Sequence, residues 1–340
     1  MQAILFNEFG TPDVLQWQDV SQPKLGSQEA LVKVAFCGVN RLDLLLRTGM
    51  LGGNFPRIIG SEIVGTIVEV NGASSLSTGT RVAIAPWLFC GTCDMCLVGR
   101  ETICRNGGIV GVIRQGGYGA IVSAPISNCI PIPEDVSFSD AAAITLSGLT
   151  AFHMLRRSRL AVGERILIRA ASSGVSSIAI RLAKMIGAVV IAQTRSKEKR
   201  AVLERLGADL IVVADDAHSL AQQLKASSFG DGFEVVFDHL GQASWKDDLQ
   251  ALGKGGRYVT CGTTTGPEVT LDLSDLYFNE WEMIGCRGGT RDELRTLLQL
   301  LSNGRLRPVI DKILPAQDAI AAHKRLESTL AIGKLLLAFS

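Results

Sequence analysis

The chain has 340 residues, of which 47% are hydrophobic and 20% are charged, and its formal net charge is +1. This length exceeds one ordinary core and allows two domains, and the composition excludes a disordered chain. The charge balance, with no strongly basic block, predicts no nucleic-acid and no membrane partner. No apolar run reaches the ~20 residues of a spanning helix, and the opening MQAILFNEFG is typical of a first strand and not of a signal peptide. We therefore expect a globular protein of two domains.

The first part of the chain, residues 1–147, contains short apolar runs that Gly and Pro interrupt. It shows no long helical period, which favours many short strands over helices. The clearest runs are 30–36, 63–70, 81–85 and 121–124. This pattern predicts a β-barrel-like domain.

From about residue 148 the pattern changes to an alternation of strands and helices. Strands are predicted at 165–170, 189–193, 210–213, 233–238 and 256–261, and helices at 177–186, 197–206, 217–226 and 243–252. This alternation predicts a parallel sheet with helices on both faces, hence an α/β protein. A helix at 292–302 and a tail strand at 334–339 suggest that the chain returns to its first domain. The predicted domains are 1–147 with 287–340, and 148–286.

A loop of small residues, 171–176 (ASSGVS), lies between the first strand and the first helix of the second domain. In a strand–turn–helix unit such a loop directs backbone N–H groups, at the positive end of the helix, towards a pyrophosphate. The loop departs from Gly-x-Gly-x-x-Gly by placing Ala, Ser and Ser near the glycine positions. The predicted phosphate-binding residues are Ser173, Gly174, Val175 and Ser176.

The end of the second strand predicts which dinucleotide binds. An NAD-preferring fold places an acid about 20 residues after the loop, and this position holds Thr194, followed by Arg195, Ser196 and Lys199. Arg and Lys near a 2′-phosphate favour NADPH over NADH, because the guanidinium fork matches phosphate oxygens. The alternative is that these cations only form a solvated helix start.

Four cysteines, Cys90, Cys93, Cys96 and Cys104, have the spacing C-x2-C-x2-C-x7-C. Four thiolates close a tetrahedral site with no open position, so the segment 88–106 predicts one structural Zn²⁺ per chain. The alternatives are a loop of free thiols and a site that has lost its metal. Eight cysteines without a secretory signal also indicate a reducing compartment, and we expect a cytoplasmic protein.

Several motifs together resemble the medium-chain dehydrogenases/reductases over the whole chain. They are Gly148-Leu149-Thr150-Ala151, the loop 171–176, Phe237-Asp238-His239-Leu240-Gly241, Gly255-Gly256-Arg257 and Gly333-Lys334-Leu335. The segment 38–43 (GVNRLD) is most similar to the quinone oxidoreductase branch. The resemblance implies a GroES-like catalytic domain from both chain ends and a Rossmann domain between them. It also implies cofactor contacts from Thr150, His239, Cys261, Gly262 and Lys334, and a homodimer joined near 283–285, with a homotetramer as the alternative.

The same resemblance implies that the ligands of a catalytic zinc are missing. The family's Cys, His and Cys positions are occupied by Asn40, Ser61 and Leu146, and leucine cannot bind zinc. The polar residues at or beside these positions, and therefore the candidates for binding substrate, are Asn40, Arg47, Ser61 and Thr145. Asp43 and Glu62 are expected to anchor the loop.

Without a Lewis acid, hydride transfer is easier to a polarised conjugated acceptor than to a simple carbonyl. The sequence thus predicts an NADPH-dependent reductase of quinones or α,β-unsaturated carbonyls. The alternatives are a zinc-type alcohol dehydrogenase and a nucleotide-binding regulator without turnover. His153, His218 and His323 are expected to have no chemical role.

Overall fold

The computed structural model describes residues 1–214, 220, 222–224 and 232–339. The chain forms two compact units, Met1–Leu149 with Gly288–Ser340, and Thr150–Arg287. The first unit is therefore built from both ends of the chain. The breaks lie at 149/150 and 287/288, against the predicted 147/148 and 286/287.

The strands and helices are as follows in chain order. The strands are β1 (Gln2–Leu5), β2 (Gln16–Asp19), β3 (Glu29–Val39), β4 (Glu62–Asn71), β5 (Arg81–Ile84), β6 (Trp87–Leu88), β7 (Gly108–Ile109), β8 (Ile121–Pro125), β9 (Cys129–Pro131), β10 (Arg165–Ile168), β11 (Val189–Thr194), β12 (Leu210–Val213), β13 (Phe233–Asp238), β14 (Leu252–Thr260), β15 (Glu282–Gly285), β16 (Ile310–Pro315) and β17 (Lys334–Ala338). The α-helices are α1 (Arg41–Arg47), α2 (Asp94–Leu97), α3 (Phe138–Thr145), α4 (Ser147–Arg157), α5 (Gly174–Ile186), α6 (Arg200–Leu206), α7 (Trp245–Ala251), α8 (Leu273–Phe278), α9 (Arg291–Ser302) and α10 (Ala319–Glu327).

The first unit is organised around a seven-stranded sheet of order β16-β17-β3-β4-β5-β9, with β8 also paired to β3. All of its pairs except β16–β17 are antiparallel. In the register, Gly38 lies opposite Glu62, and Val39 lies opposite Leu335. The end of β3, the start of β4 and the start of β17 therefore meet at one end of the sheet. Apolar side chains such as Phe6, Ile63 and Ile84 fill the core behind them.

The second unit contains a six-stranded sheet of order β12-β11-β10-β13-β14-β15, and every pair in it is parallel. The strand order reverses between β10 and β13, so the chain proceeds outwards in both directions from this point. In open sheets of this topology, ligands bind beyond the carboxyl ends of the strands at the reversal. The loop after β10 lies at this place.

The elements of this sheet differ from the predicted ones mainly at their ends. Strand β10 stops at Ile168, two residues early, because Ala170 takes a left-handed conformation with φ of 45°. Helix α5 starts three residues earlier than predicted because Ser173 caps it, accepting the Ser176 N–H at 3.1 Å. Of the predicted helix 217–226, only 220 and 222–224 are described, and these are helical; the remainder and His218 lie outside the described residues.

Candidate functional site

The four cysteines of the segment 88–106 converge on one point. All four Sγ atoms lie within 4.8 Å of one another. The Sγ···Sγ distances are 3.9 Å for Cys90–Cys96, 3.8 Å for Cys93–Cys104 and 3.5 Å for Cys90–Cys104. A tetrahedral Zn²⁺ with Zn–S bonds of ~2.3 Å requires Sγ···Sγ separations of ~3.8 Å. The thiols are thus placed to enclose one tetrahedral ion.

Backbone amides also prepare this cluster for a cation. The N–H of Cys93 donates to Cys90 Sγ at 3.3 Å, and the N–H of Cys90 donates to Cys104 Sγ at 3.2 Å. The N–H groups of Thr92 and Cys93 lower the pKa of the Cys90 thiol to about 5. Hydrogen bonds of this kind favour thiolates, which are the form that binds metal.

The positions that the family resemblance assigns to a catalytic zinc hold a hydrogen-bonded cluster with Asn40 at its centre. The Asn40 Oδ1 accepts from Lys334 Nζ at 2.7 Å and from Ser147 Oγ at 3.1 Å. Its Nδ2 donates to Glu62 Oε2 at 3.1 Å and to Gly38 O at 3.3 Å. The amide of Asn40 thus has protein partners for both its oxygen and its nitrogen.

Glu62 and Lys334 form a buried ion pair within this cluster. Their side chains are 0% and 3% exposed, and Lys334 Nζ lies 2.6 Å from Glu62 Oε2. The other oxygen, Oε1, accepts the backbone N–H groups of Leu146 and Ser147 at 2.8 and 2.9 Å. The third proton of Lys334 goes to Val39 O at 3.1 Å. Glu62 therefore anchors the loop, as expected, but Lys334 has no proton left for a cofactor, which corrects its predicted role.

These residues do not fit a catalytic zinc. Zinc in proteins is held by thiolate, imidazole or carboxylate, and Asn40, Ser61 and Leu146 offer none of these. The nearby carboxylate, Glu62, already binds an ammonium group and two backbone amides. The Asn40 cluster is therefore not suited to hold a zinc ion.

Three of the four predicted substrate residues, Ser61, Thr145 and Arg47, have side chains that are bound inside the protein. Ser61 Oγ donates to Val110 O at 2.6 Å, and Thr145 Oγ1 donates to Ala141 O at 2.8 Å; both residues are buried. Each hydroxyl proton is already used, so neither side chain is placed to donate to a substrate oxygen. Asn40, in contrast, is only half-buried. Of the four candidates, it remains the one with access to a ligand.

Arg47 is the clearest correction among these candidates. It is 1% exposed, and its Nε donates to Gly10 O at 3.1 Å. Its other nitrogens contact His323 Nδ1 at 3.2 Å and form an ion pair with Glu327. His323 Nε2 in turn lies 2.9 Å from the hydroxyl of Tyr118, which is fully buried. Arg47 is therefore held in a buried chain of polar side chains and not in a substrate site.

Asp43 contacts the backbone of Asn40. It is 0% exposed, and Oδ2 accepts the Asn40 N–H at 2.8 Å while Oδ1 has no hydrogen-bond partner in the described part of the chain. Burial raises the pKa of this carboxyl from 3.8 to about 7. Asp43 thus anchors the start of α1, as expected, at an electrostatic cost.

In the second unit, the loop after β10 has the geometry of a phosphate-binding turn. The N–H of Ser176 is taken by Ser173 Oγ, whereas those of Gly174 and Val175 carry no hydrogen bond in the described residues. These two N–H groups lie in the first turn of α5, where the positive end of the helix dipole favours an anion.

The hydroxyl of Ser176 is bound within the protein. It is fully buried, and its hydroxyl lies 2.8 Å from Arg169 O and 3.0 Å from His239 Nε2. Its side chain therefore corrects the prediction of direct cofactor contact. The hydroxyl occupies the space that the third glycine of the fingerprint would leave and ties the loop to the segment after β13.

The remaining predicted cofactor residues follow the carboxyl ends of strands, apart from Thr150, which lies in α4. Thr194 ends β11 and is buried, with Oγ1 accepting the Ser196 N–H at 3.3 Å. Arg195 is exposed, and its guanidinium has no ion pair or hydrogen bond within the described residues. Ser196 and Lys199 are half-buried, and Ser196 Oγ donates to Glu198.

Cys261 and Gly262 follow β14 directly. Burial raises the pKa of the Cys261 thiol to about 12.

Sequence reasoning missed two parts of these sites. Ser147 contributes both its N–H and its hydroxyl to the Asn40 cluster. Its signal was a hydroxyl residue directly after Leu146, the third vacated ligand position. The buried contact of Tyr118 with His323 spans 205 positions and had no local signal.

Two family models match the chain. The alcohol dehydrogenase GroES-like domain matches residues 26–134, and the zinc-binding dehydrogenase model matches residues 174–303. The fold and the matched models together define an oxidoreductase with a GroES-like unit and a Rossmann-type parallel sheet, which confirms the predicted α/β fold class. The chain belongs to the medium-chain dehydrogenase/reductase superfamily.

Similar proteins span the whole chain. It is 31% identical over 347 residues to an NAD-dependent alcohol dehydrogenase of Sulfolobus acidocaldarius, with 99% of each chain covered. It is 27% identical over 323 residues to the acryloyl-coenzyme A reductase of Metallosphaera sedula, covering 94% of this chain and 95% of that one. A cobalt- and zinc-bound thermostable alcohol dehydrogenase from Pyrobaculum aerophilum superposes with a TM-score of 0.92 at 33% identity, covering 100% and 99% of the two chains.

These comparisons agree with a zinc-binding oxidoreductase that uses a nicotinamide dinucleotide and acts on a small molecule. The relatives named NAD-dependent do not support the predicted preference for NADPH. No helix in the described part of the chain combines the length and the apolarity that crossing a bilayer requires.

Proposed function

We propose that this chain is a nicotinamide-dependent reductase of conjugated carbonyl or quinone acceptors that uses no catalytic metal. One observation supports the proposal: where the family resemblance expects the ligands of a catalytic zinc, Asn40, Glu62 and Lys334 bind one another. A simple carbonyl depends on a Lewis acid to polarise its oxygen, whereas a conjugated acceptor spreads the developing charge over its own π-system.

The reaction transfers one hydride from the reduced nicotinamide to the β-carbon of the acceptor. The electron pair of the C=C bond moves towards the carbonyl oxygen, and a proton from solvent then adds to the α-carbon. Asn40 is the group we assign to the carbonyl oxygen, because it is the half-buried member of the cluster. Its 3.3 Å bond to Gly38 O is the longest that it makes, so this N–H is the one that a substrate oxygen can most easily take over.

For the cofactor, we propose a preference for NADPH. The support is the exposed Arg195 directly after β11, where no acid is present to bind ribose hydroxyls. The names of the relatives favour NADH instead.

Arg195→Ala should raise the KM for NADPH by about tenfold or more and leave the KM for NADH nearly unchanged, because only NADPH carries the 2′-phosphate. An equal effect on both values would show that Arg195 does not read the phosphate, and Lys254→Ala is a matched surface control.

The second candidate is a zinc-type alcohol dehydrogenase, which the names of most relatives fit better than they fit our first proposal. The reductase named for acryloyl-coenzyme A, a conjugated thioester, is the relative that agrees with the first proposal.

Three measurements separate the two candidate functions. They are the oxidation of NADPH and NADH with a panel of enones and quinones, the oxidation of alcohols, and the zinc content. We expect enone or quinone turnover with one zinc per chain. Two zincs per chain with alcohol oxidation that a chelator stops would favour the dehydrogenase, and dinucleotide binding without any turnover would favour a regulator.

We also propose a homodimer joined at the edge of the second unit's sheet. Strand β15 is the last strand of that sheet, and the neighbouring helix α8 buries none of its residues. Leu273, Tyr277 and Phe278 are all more than 60% exposed, which is unusual for a surface that stays in water. Light scattering should give twice the chain mass, and a lower mass in Phe278→Asp would place this face in the contact.

A further inference from the structure

The hydroxyls of Ser173 and Ser176 share a single histidine nitrogen. His239 Nε2 lies 3.1 Å from Ser173 Oγ and 3.0 Å from Ser176 Oγ. Ser176 Oγ is also 2.8 Å from the carbonyl oxygen of Arg169. Counting the protons available for these contacts determines the direction of each hydrogen bond.

The contact with Arg169 fixes the proton of Ser176. A carbonyl oxygen has no proton, so the single hydroxyl proton of Ser176 lies on its 2.8 Å bond to Arg169 O. The contact between Ser176 and His239 must then take its proton from the ring. His239 therefore carries its proton on Nε2 and donates it to Ser176 Oγ.

This tautomer releases the proton of Ser173. A protonated Nε2 cannot accept, so the Ser173 hydroxyl does not donate to His239. Ser173 Oγ already accepts the Ser176 N–H at 3.1 Å, so its lone pairs face the loop and its proton points away from both partners. Ser173 is half-buried, as are Gly174 and Val175, whose N–H groups have no partner in the described chain. Three donors thus remain at the start of α5.

We infer that His239 is a positioning residue that holds the Ser173 hydroxyl as a donor to the pyrophosphate of the dinucleotide, and that Ser176 sets the tautomer of His239. This inference rests on the proposed function. It gives the two serines different roles: Ser173 donates to the phosphate beside the Gly174 and Val175 amides, and Ser176 acts through His239 without touching the ligand. It also explains why the loop tolerates serine in place of the third glycine.

Binding measurements on four variants test the inference, with the reduced dinucleotide titrated by fluorescence. Ser173→Ala loses a hydrogen bond to a charged group, so its Kd should rise by about tenfold or more. Ser176→Ala removes the need for a proton on Nε2, so the Ser173 hydroxyl can turn to the ring, and the Kd should rise by a similar factor. In Ser176→Ala/His239→Ala the competing acceptor is gone, and the Kd should return most of the way to the wild-type value. The exposed Ser21→Ala is the matched control and should bind normally.

The double variant distinguishes positioning from mere support of the loop. If His239 and Ser176 only stabilised the fold, removing both would weaken binding at least as much as removing Ser176, and that result would overturn the inference. If the wild type binds NADPH or NADH and Ser173→Ala does not change the Kd, the role of Ser173 is wrong while the proposed function stands. Failure of the wild type to bind either dinucleotide would overturn both.

A second measurement reports the tautomer without any ligand. Nitrogen-15 NMR of the histidine rings should show His239 with its proton on Nε2 in the wild type and a shift towards Nδ1–H in Ser176→Ala. A wild-type ring with its proton on Nδ1 would contradict the assignment. His239→Ala alone should bind the dinucleotide about as tightly as the double variant, because it removes the same competing acceptor.

Discussion

The first unit contains two positions at which the family resemblance predicts metal ligands, and they are built in opposite ways. At the first, four thiols meet with Sγ···Sγ distances of 3.5–3.9 Å, and backbone amides lower the pKa of Cys90 to about 5. At the second, the ammonium of Lys334 lies 2.6 Å from the carboxylate of Glu62, and an amide completes the cluster. The first site gathers four thiols whose sulfur atoms can share one external cation. The second contains its own cation.

The surroundings of the two positions differ as well. Helix α2, inside the cysteine lobe, buries none of its residues, and Leu97 and Val98 are 75% and 66% exposed. The lobe has no apolar core of its own, so an ion bound by the thiols has to act as its core. The Asn40 cluster instead lies at the end of the seven-stranded sheet, with Glu62 and Gly38 paired across β3 and β4. The internal ion pair therefore lies where the sheet can bury it, whereas the exposed cysteine lobe offers no such place.

Removing one thiol should produce the largest effect. Cys104→Ser leaves three thiolates with no closed tetrahedral shell, so the zinc content should fall from one per chain to near zero. Structural zinc contributes about 10–16 kcal/mol in small zinc domains, so the lobe should unfold locally and become sensitive to protease. Zinc analysis and limited proteolysis measure the two effects.

The matched control for this variant is Cys286→Ser, which changes a cysteine outside the cluster. It should keep its zinc and its resistance to protease. If Cys104→Ser retained one zinc per chain with an intact lobe, the four thiols would not be the metal site, and the contrast between the two positions would fail.

Breaking the buried ion pair should produce the next largest effect. Glu62→Gln leaves the Lys334 ammonium, 3% exposed, without a counter-charge, and an uncompensated buried charge costs about 3–5 kcal/mol. The free energy of unfolding, measured with urea, should fall by that amount. The zinc content should stay at one per chain, because Glu62 binds no metal.

The double variant Glu62→Gln/Lys334→Met sharpens this prediction. With both charges removed, most of the lost free energy of unfolding should return, since a neutral pair of similar volume avoids the desolvation penalty. A double variant as unstable as Glu62→Gln would show that the hydrogen bonds of Glu62 to Leu146 and Ser147, and not its charge, stabilise this end of the sheet.

Much of this contrast could be predicted from local patterns in the sequence. The cysteine spacing predicts a closed metal site because the ligands lie within 15 consecutive residues, Cys90 to Cys104, and short linkers force them together. The strands β12 and β13 were predicted with the bounds that the structure shows, because an apolar run marks each of them, LIVV in β12 and VVF in β13. The residues at the ligand positions that the resemblance assigns could be read from the sequence because each lies inside a short motif.

The roles of Arg47 and Lys334 could not be predicted in this way. Arg47 follows the Asn40 motif by only seven residues, but α1 turns its side chain towards Glu327, 280 positions away. Lys334 meets Glu62 because β17 pairs with β3, and β3 pairs with β4. A motif places a residue near a site in sequence, whereas strand register and helix phase decide which way its side chain points.

The smallest effect concerns Asp43, the carboxyl beside the vacated position. Its pKa is about 7 in the folded chain against 3.8 as an ordinary value, and burial is the main cause. Between these values the folded chain holds a proton that the unfolded chain has released, so the free energy of unfolding should fall as the pH rises from about 4 to about 7. At ~1.4 kcal/mol per pKa unit, the total change is at most ~4 kcal/mol. Asp43→Asn, which keeps an acceptor for the Asn40 N–H, should remove this slope.

His323 gives this measurement an internal reference. Burial, together with the charge of Arg47, lowers the pKa of His323 from 6.5 to about 3, so its contribution has the opposite sign. The unfolded chain binds the extra proton here, and the free energy of unfolding should rise between about pH 3 and pH 6.5. In Asp43→Asn the rise from His323 should remain while the fall from Asp43 disappears, so the curve measured by urea unfolding should climb more steeply than that of the wild type. Parallel curves for the two proteins would mean that Asp43 stays ionised in the fold, held by Lys334, and that the second position is more polar than its burial indicates.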